Sequence, residues 1–129
     1  MSALRLLQSL FTSSPRRAPA DCFAHVRTGT AILVDVREPG ECRRGVAAQA
    51  VLLPLSDLAG RRKRWKPFLA AHGDRELVFY CGAGVRSGMA ARTLAAEGFR
   101  TVNAGSFQAW ADAGWPVVAP TDADVHGKS

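Results

Sequence analysis

The sequence predicts an α/β fold: one domain with a mostly parallel central sheet of about five strands and helices on both faces. Three observations predict it. Ala31-Ile32-Leu33-Val34, Val51-Leu52-Leu53 and Leu77-Val78-Phe79-Tyr80 are unbroken apolar runs, the pattern of strands covered on both faces. Segments with helical spacing and their own start and stop residues lie between these runs, so strand and helix alternate. The length of 129 residues suits one compact domain that needs no covalent staples.

In chain order, Asp21 is expected to cap a short helix carrying Phe23 and Val26, which Gly29 stops. Ala31–Val34 is the first strand, with Asp35 and Arg37 at its end. Val51–Leu53 is the second, ended by Pro54. Ser56 then caps a helix burying Leu58, Trp65 and Leu69, split at Pro67 and closed by Gly73. Leu77–Tyr80 is the third strand. Ser87 to Glu97 reads as a helix stopped by Gly98, and Arg100–Asn103 as a fourth strand. Ser106 caps a last helix holding Phe107 and Trp110, with Gly114 just past its end. Trp115-Pro116-Val117-Val118 adds an edge strand, where proline is tolerated.

The ends differ in composition. Residues 1–18 form a basic, amphipathic segment without acids, in which Leu4, Leu7 and Phe11 share one helical face. Such a segment suits a docking helix, a frayed terminus with weak membrane affinity, or a mitochondrial presequence. A secretory signal fits less well, because Arg5 and Gln8 interrupt its apolar stretch. Residues 19–120 form the domain and 121–129 a polar tail. The net charge of +6 favours anionic ligands without choosing among them. No apolar run approaches the length of a transmembrane helix. Three cysteines are too few for a disulfide scaffold, so a reducing compartment such as the cytoplasm is expected, or the mitochondrial matrix if the N-terminus is a presequence.

Chemistry concentrates in Cys81-Gly82-Ala83-Gly84-Val85-Arg86-Ser87. A buried strand delivers one cysteine to its carboxyl end, where open parallel sheets bind ligands. Gly82 and Gly84 permit a tight loop with inward N–H groups, and the helix starting near Ser87 aims its positive end at the same point. A thiol there should be acidified and nucleophilic. Arg86 either binds an anionic substrate or pins the loop by pairing with a carboxylate.

With these residues in view, the chain resembles the rhodanese family of sulfurtransferases, in its single-domain form. Leu33-Val34-Asp35-Val36-Arg37-Glu38-Pro39-Gly40-Glu41 is similar to that family's first signature. Cys81–Ser87 is similar to its active-site loop, and Val102–Trp110 with Ala113–Val117 to its C-terminal signature. The resemblance implies that Cys81 takes sulfane sulfur from a small anionic donor such as thiosulfate. The persulfide then passes it to cyanide or a thiol. Gly82, Ala83, Gly84, Val85, Arg86 and Ser87 would form the substrate cradle. No metal or organic cofactor is expected. A sulfur-relay protein partner is compatible with this reading, as a persulfide carrier module in place of an enzyme on free thiosulfate. A phosphatase or arsenate reductase is a further alternative. It is disfavoured because only four residues separate Cys81 from Arg86, leaving a narrow ring of amides.

The chain departs from the family where Gly45-Val46-Ala47-Ala48-Gln49-Ala50 lacks the usual histidine, and where Cys42 replaces an aromatic. Asp35 is expected to brace the site through an arginine, Arg37 to add a positive field, and Glu41 to sit at the rim. Cys42 is expected to be packing, with a resolving thiol as the alternative, and Cys22 to be structural or exposed. His25, His72 and His126 show no metal-ligand spacing. The run Arg61-Arg62-Lys63-Arg64-Trp65-Lys66 reads as a solvated surface with Trp65 turned inward, and no specific nucleic-acid binding is expected.

Overall fold

The computed structural model describes residues 14–121. The expectations placed on Leu4, Leu7, Phe11 and His126, and on most of the polar tail, lie outside the described residues. The elements are α1 (Pro19–Thr28), β1 (Ala31–Asp35), α2 (Pro39–Cys42), β2 (Val46–Ala47), β3 (Val51–Leu52) and α3 (Leu55–Ala59). They continue with α4 (Trp65–His72), β4 (Glu76–Cys81), α5 (Val85–Ala96), β5 (Thr101–Ser106), α6 (Phe107–Asp112) and β6 (Val117–Val118).

A four-stranded parallel sheet runs in the order β3-β1-β4-β5. Its unbroken apolar strands divide their side chains between two layers. Leu77, Phe79 and Cys81 point toward the layer containing Trp65, Phe68, Ala90 and Leu94 from α4 and α5. Val78 and Tyr80 point the other way, among Cys22, Val26, Trp110 and Trp115. Helices therefore cover both faces. None of the described helices is long and apolar enough to cross a membrane.

Several boundaries differ from the sequence expectation for identifiable reasons. Val117–Val118 pairs antiparallel with Val46–Ala47 in a separate two-stranded sheet, not at the edge of the main one. The fifth position of the main sheet goes instead to the chain before α1: Arg16 bridges Asn103 in parallel register. Asn103 N–H donates to Pro15 O, and Arg17 N–H to Asn103 O. Arg17 also pairs with Glu76 at 2.5 Å. Residues 14–17 thus pack on the sheet, ahead of the boundary expected at residue 19. Asp21 sits in the first turn of α1, whose N-cap is Ala18 with a proline following. Ser56 lies inside α3, and its hydroxyl donates to Glu38. The break expected at Pro67 falls earlier, between α3 and α4, where Asp57 accepts the amides of Lys63, Arg64 and Trp65. Pro67 then occupies the first turn of α4, where no amide is missed. Trp65 is fully buried, its indole N–H donating to Pro54 O. Arg62 pairs with Glu97, so the basic run is partly neutralised surface.

Candidate active site

β4 is an inner strand, and its last residue is Cys81. The chain turns through Gly82-Ala83-Gly84 and enters α5. Gly84 is the N-cap with φ +92, a left-handed conformation that favours glycine. The Gly84 N–H donates to Cys81 Sγ at 3.0 Å. Ser87 lies in the first turn of α5, not at its cap, and is fully buried. Its hydroxyl stands 3.4 Å from Sγ and 2.8 Å from Asn103 Oδ1.

Burial of Cys81 by itself would push its thiol up. The Ser87 hydroxyl and the amides of Ser87, Ala83 and Gly84 outweigh that, and the net shift is downward. The first turn of α5 adds the positive end of its dipole. The loop therefore stabilises a thiolate, and by the same donors an anionic atom attached to it.

Arg86 does not point at the sulfur. Its guanidinium forms a fork with Glu41 on α2, at 2.5 and 2.7 Å. Glu41 in turn accepts the Glu38 amide, closing the capping box of α2. The Arg86 contact holds Glu41 at about 2, below its ordinary 4.5. A Cβ on Gly82 would come within 3.0 Å of Arg86 Nη2, so this glycine lets the ion pair lie against the loop. Glu41 is partly exposed, and its pair with Arg86 ties α2 to the loop. Val85 is exposed, Ala83 contributes its amide, and both line the rim.

Asp35 and Arg37 form a second, buried cluster. Arg37 donates through Nε and Nη2 to Asp35, and through Nη2 to Gly45 O. Tyr80 O–H donates to Asp35 at 2.5 Å and accepts from the Ala47 amide at 3.0 Å. Arg37 lies over the Phe107 ring at 4.4 Å. Asp35 is thus tied to β4 through the Tyr80 hydroxyl, which also accepts from β2, while Arg37 links it to the Gly45 carbonyl just before β2. The charge of Arg37 is paired with Asp35 in the interior, and it also helps hold the Glu41 carboxyl down. Cys42 is fully buried beside Asp35, and burial followed by that carboxylate raises its thiol to about 12. It is suited to packing, not to resolving chemistry. Cys22 is also buried, its thiol directed at Ala18 O. His25 contacts Thr30 and His72 packs on Phe68, each away from the loop's hydrogen bonds.

Sequence reasoning missed Asn103. Its Oδ1 accepts from Ser87 and from the Gly105 amide, and its Nδ2 donates to Gly84 O. One amide side chain therefore fixes both the residue that acidifies Cys81 and the glycine that turns the loop. A polar residue in the middle of a buried strand was the available signal.

The family model for the rhodanese-like domain matches residues 19–113. A protein named sulfurtransferase from Allochromatium vinosum is 36% identical over 95 residues, covering 72% of this chain and 83% of that protein. A rhodanese-related protein from Thermoplasma volcanium superposes with a TM-score of 0.64 at 28% identity, covering 81% of this chain and 97% of that one. A Rhodopseudomonas palustris protein of unknown function, described as a possible tyrosine phosphatase, superposes with a TM-score of 0.66 at 29% identity, covering 81% and 85%.

Proposed function

The chain belongs to the rhodanese-like domain family, and from that premise we propose that it is a sulfurtransferase working through a persulfide on Cys81. The donor is thiosulfate or a related anion, and the acceptor is cyanide or a thiol. The observation that carries this reading is the set of donors around Sγ: the Gly84 amide at 3.0 Å and the Ser87 hydroxyl at 3.4 Å. They favour the thiolate that must attack. The thiolate takes the outer sulfur of thiosulfate, whose S–S bond breaks with its electron pair leaving on sulfite. The product on Cys81 is an anionic persulfide, for which the cradle remains suited. An acceptor nucleophile then attacks the outer sulfur, and the electron pair of the persulfide bond returns to Sγ. The similarity to the Allochromatium vinosum protein supports sulfur transfer in general.

Phosphate chemistry is less well served. A phosphoryl group needs its equatorial oxygens held by inward donors. Here Arg86 is engaged by Glu41 through both of its terminal nitrogens. The carrier reading is favoured by one feature, the exposed apolar residues Val85 and Met89 one helical turn apart beside the loop. Thiocyanate formation from thiosulfate and cyanide tests the reading. Turnover by the full chain that disappears in Cys81→Ser supports it, and turnover that survives the substitution refutes it. Loading by a cysteine desulfurase without thiosulfate turnover would select the carrier.

A further inference from the structure

β5 lies at one edge of the main sheet, and residues 14–17 take its outer side. Their contacts fall on two residues of that strand. Ser14 Oγ lies 3.0 Å from Thr101 O and 2.9 Å from Thr101 Oγ1. The Asn103 N–H donates to Pro15 O at 3.0 Å, and the Arg17 N–H donates to Asn103 O at 3.1 Å. Both backbone polar groups of Asn103 are therefore held by this short segment. On the inner side, the ladder to β4 shifts register between Phe79↔Asn103 and Cys81↔Ser106, so Asn103 stands where the regular pairing ends.

Thr101 and Asn103 are also the buried polar residues of β5. Two positions apart, their side chains share the face against α5. Thr101 Oγ1 donates to Ala91 O at 2.8 Å, and Asn103 Nδ2 donates to Gly84 O at 3.1 Å. Gly88 lets α5 lie close enough for the second bond, since a Cβ there would stand 3.1 Å from Asn103 Nδ2. The start of α5 carries the donors that face the sulfur, the Gly84 amide and the Ser87 hydroxyl. The two residues that residues 14–17 grip are thus the two that grip α5.

We propose that residues 14–17 are a positioning element for Cys81: by fixing Thr101 and Asn103 from outside, they hold the Gly84 amide and the Ser87 hydroxyl against Sγ. The proposal rests on Cys81 being the reacting group of the sulfurtransferase reading. The path is a contiguous chain of hydrogen bonds, from Pro15 and Arg17 through Asn103 to Gly84 and Ser87, and from these to the sulfur. Coupling between two such sites is reciprocal. If the attached segment favours the thiolate, ionisation of Cys81 tightens the attachment by the same factor.

The test uses the full chain and reads the thiol without sulfur, as the pH midpoint of iodoacetamide alkylation mapped to Cys81. Arg17→Pro deletes the amide that Asn103 O accepts. Arg17→Gln keeps that amide while losing the same charge and the pair with Glu76. In Arg17→Pro the midpoint should rise by about half a pH unit, roughly a threefold loss of thiolate below it. In Arg17→Gln it should stay close to wild type. Hydrogen exchange supplies the reciprocal measurement and does not depend on Arg17→Pro folding. Relative to Cys81→Ser at the same pH, the Arg17 and Asn103 amides of the wild type should be about threefold better protected above the Cys81 midpoint than below it. An unchanged midpoint in folded Arg17→Pro, an equal rise in Arg17→Gln, or protection indifferent to the state of Cys81 would overturn the proposal. A segment serving stability alone would leave the midpoint and the protection ratio unmoved. Thiosulfate loading, followed separately, keeps the two readings apart. A moved midpoint without sulfur on Cys81 upholds the positioning and counts against the transfer, and sulfur uptake with an unmoved midpoint does the reverse.

Discussion

Ser87→Ala removes the one side-chain donor to Cys81 while leaving every backbone donor in place. The hydroxyl has a single proton, and it stands closer to Asn103 Oδ1, at 2.8 Å, than to Sγ, at 3.4 Å. When the thiol ionises, that proton gains by turning to the sulfur. A hydrogen bond to a charged group contributes about 1.5–3 kcal/mol, and the competition from Asn103 argues for the lower end. About 1.5 kcal/mol corresponds to roughly a tenfold smaller thiolate fraction below the titration midpoint. A more basic thiolate is also more nucleophilic, with a Brønsted coefficient of about 0.4–0.5, so the observed rate should fall only about threefold. The folding cost should stay within about 1 kcal/mol, because Asn103 Oδ1 keeps the Gly105 amide and Gly84 O keeps Asn103 Nδ2. The assay is the pH dependence of iodoacetamide alkylation, with the site read by peptide mass spectrometry. Cys22 and Cys42, whose thiols burial pushes up, serve as slow internal references. The midpoint for Cys81 should move up in the variant. An unchanged midpoint and rate in a folded variant would refute the role given to Ser87.

Other perturbations probe the supports. Glu41→Gln should cost no more than about 1 kcal/mol, since the pair with Arg86 is partly solvated. Because the folded carboxyl titrates at about 2, below its ordinary 4.5, its stabilising effect is present above 4.5 and lost as pH falls toward 2. The difference in urea midpoint between variant and wild type should therefore shrink across that window, and a difference independent of pH would contradict the pairing. Asp35→Asn should destabilise by about 3–5 kcal/mol, because it leaves a buried Arg37 uncompensated; a loss below about 1 kcal/mol in urea unfolding would show that the cluster is not stabilising the fold. Cys42→Ser should keep sulfur transfer, its hydroxyl being placed to donate to Asp35; loss of transfer in a folded variant would make Cys42 a resolving thiol. A chain beginning at residue 18 should unfold at lower urea than one beginning at residue 14, because it lacks the bonds to Asn103 and the Arg17–Glu76 pair. Equal midpoints would mean that residues 14–17 add nothing.

The sheet was legible where one physical cue sufficed. Leu77–Tyr80 reads as a doubly covered strand from its apolar run, and the structure places it between β1 and β5. The cysteine loop was legible because its chemistry lies within seven consecutive residues. What escaped depended on register between distant segments. Glu41 meets Arg86, and Tyr80 meets Asp35, across 45 residues in each case. No local pattern encodes which carboxylate an arginine will find. The helix was expected to start near Ser87, but it starts at Val85 with left-handed Gly84 as its cap, and the Ser87 hydroxyl in the first turn faces the sulfur. The contacts of residues 14–17 were not legible, because their basic, acid-free composition continues from the segment before them, while those contacts are backbone bonds to β5.

The central claim is that Cys81 carries sulfur, and intact-protein mass spectrometry after thiosulfate treatment addresses it most directly. The account predicts a gain of one sulfur atom, mapped to Cys81, removed by cyanide and absent from Cys81→Ser. A wild-type mass unchanged by thiosulfate and by a persulfide-loading desulfurase, or a sulfur mapped to Cys22 or Cys42, would contradict it.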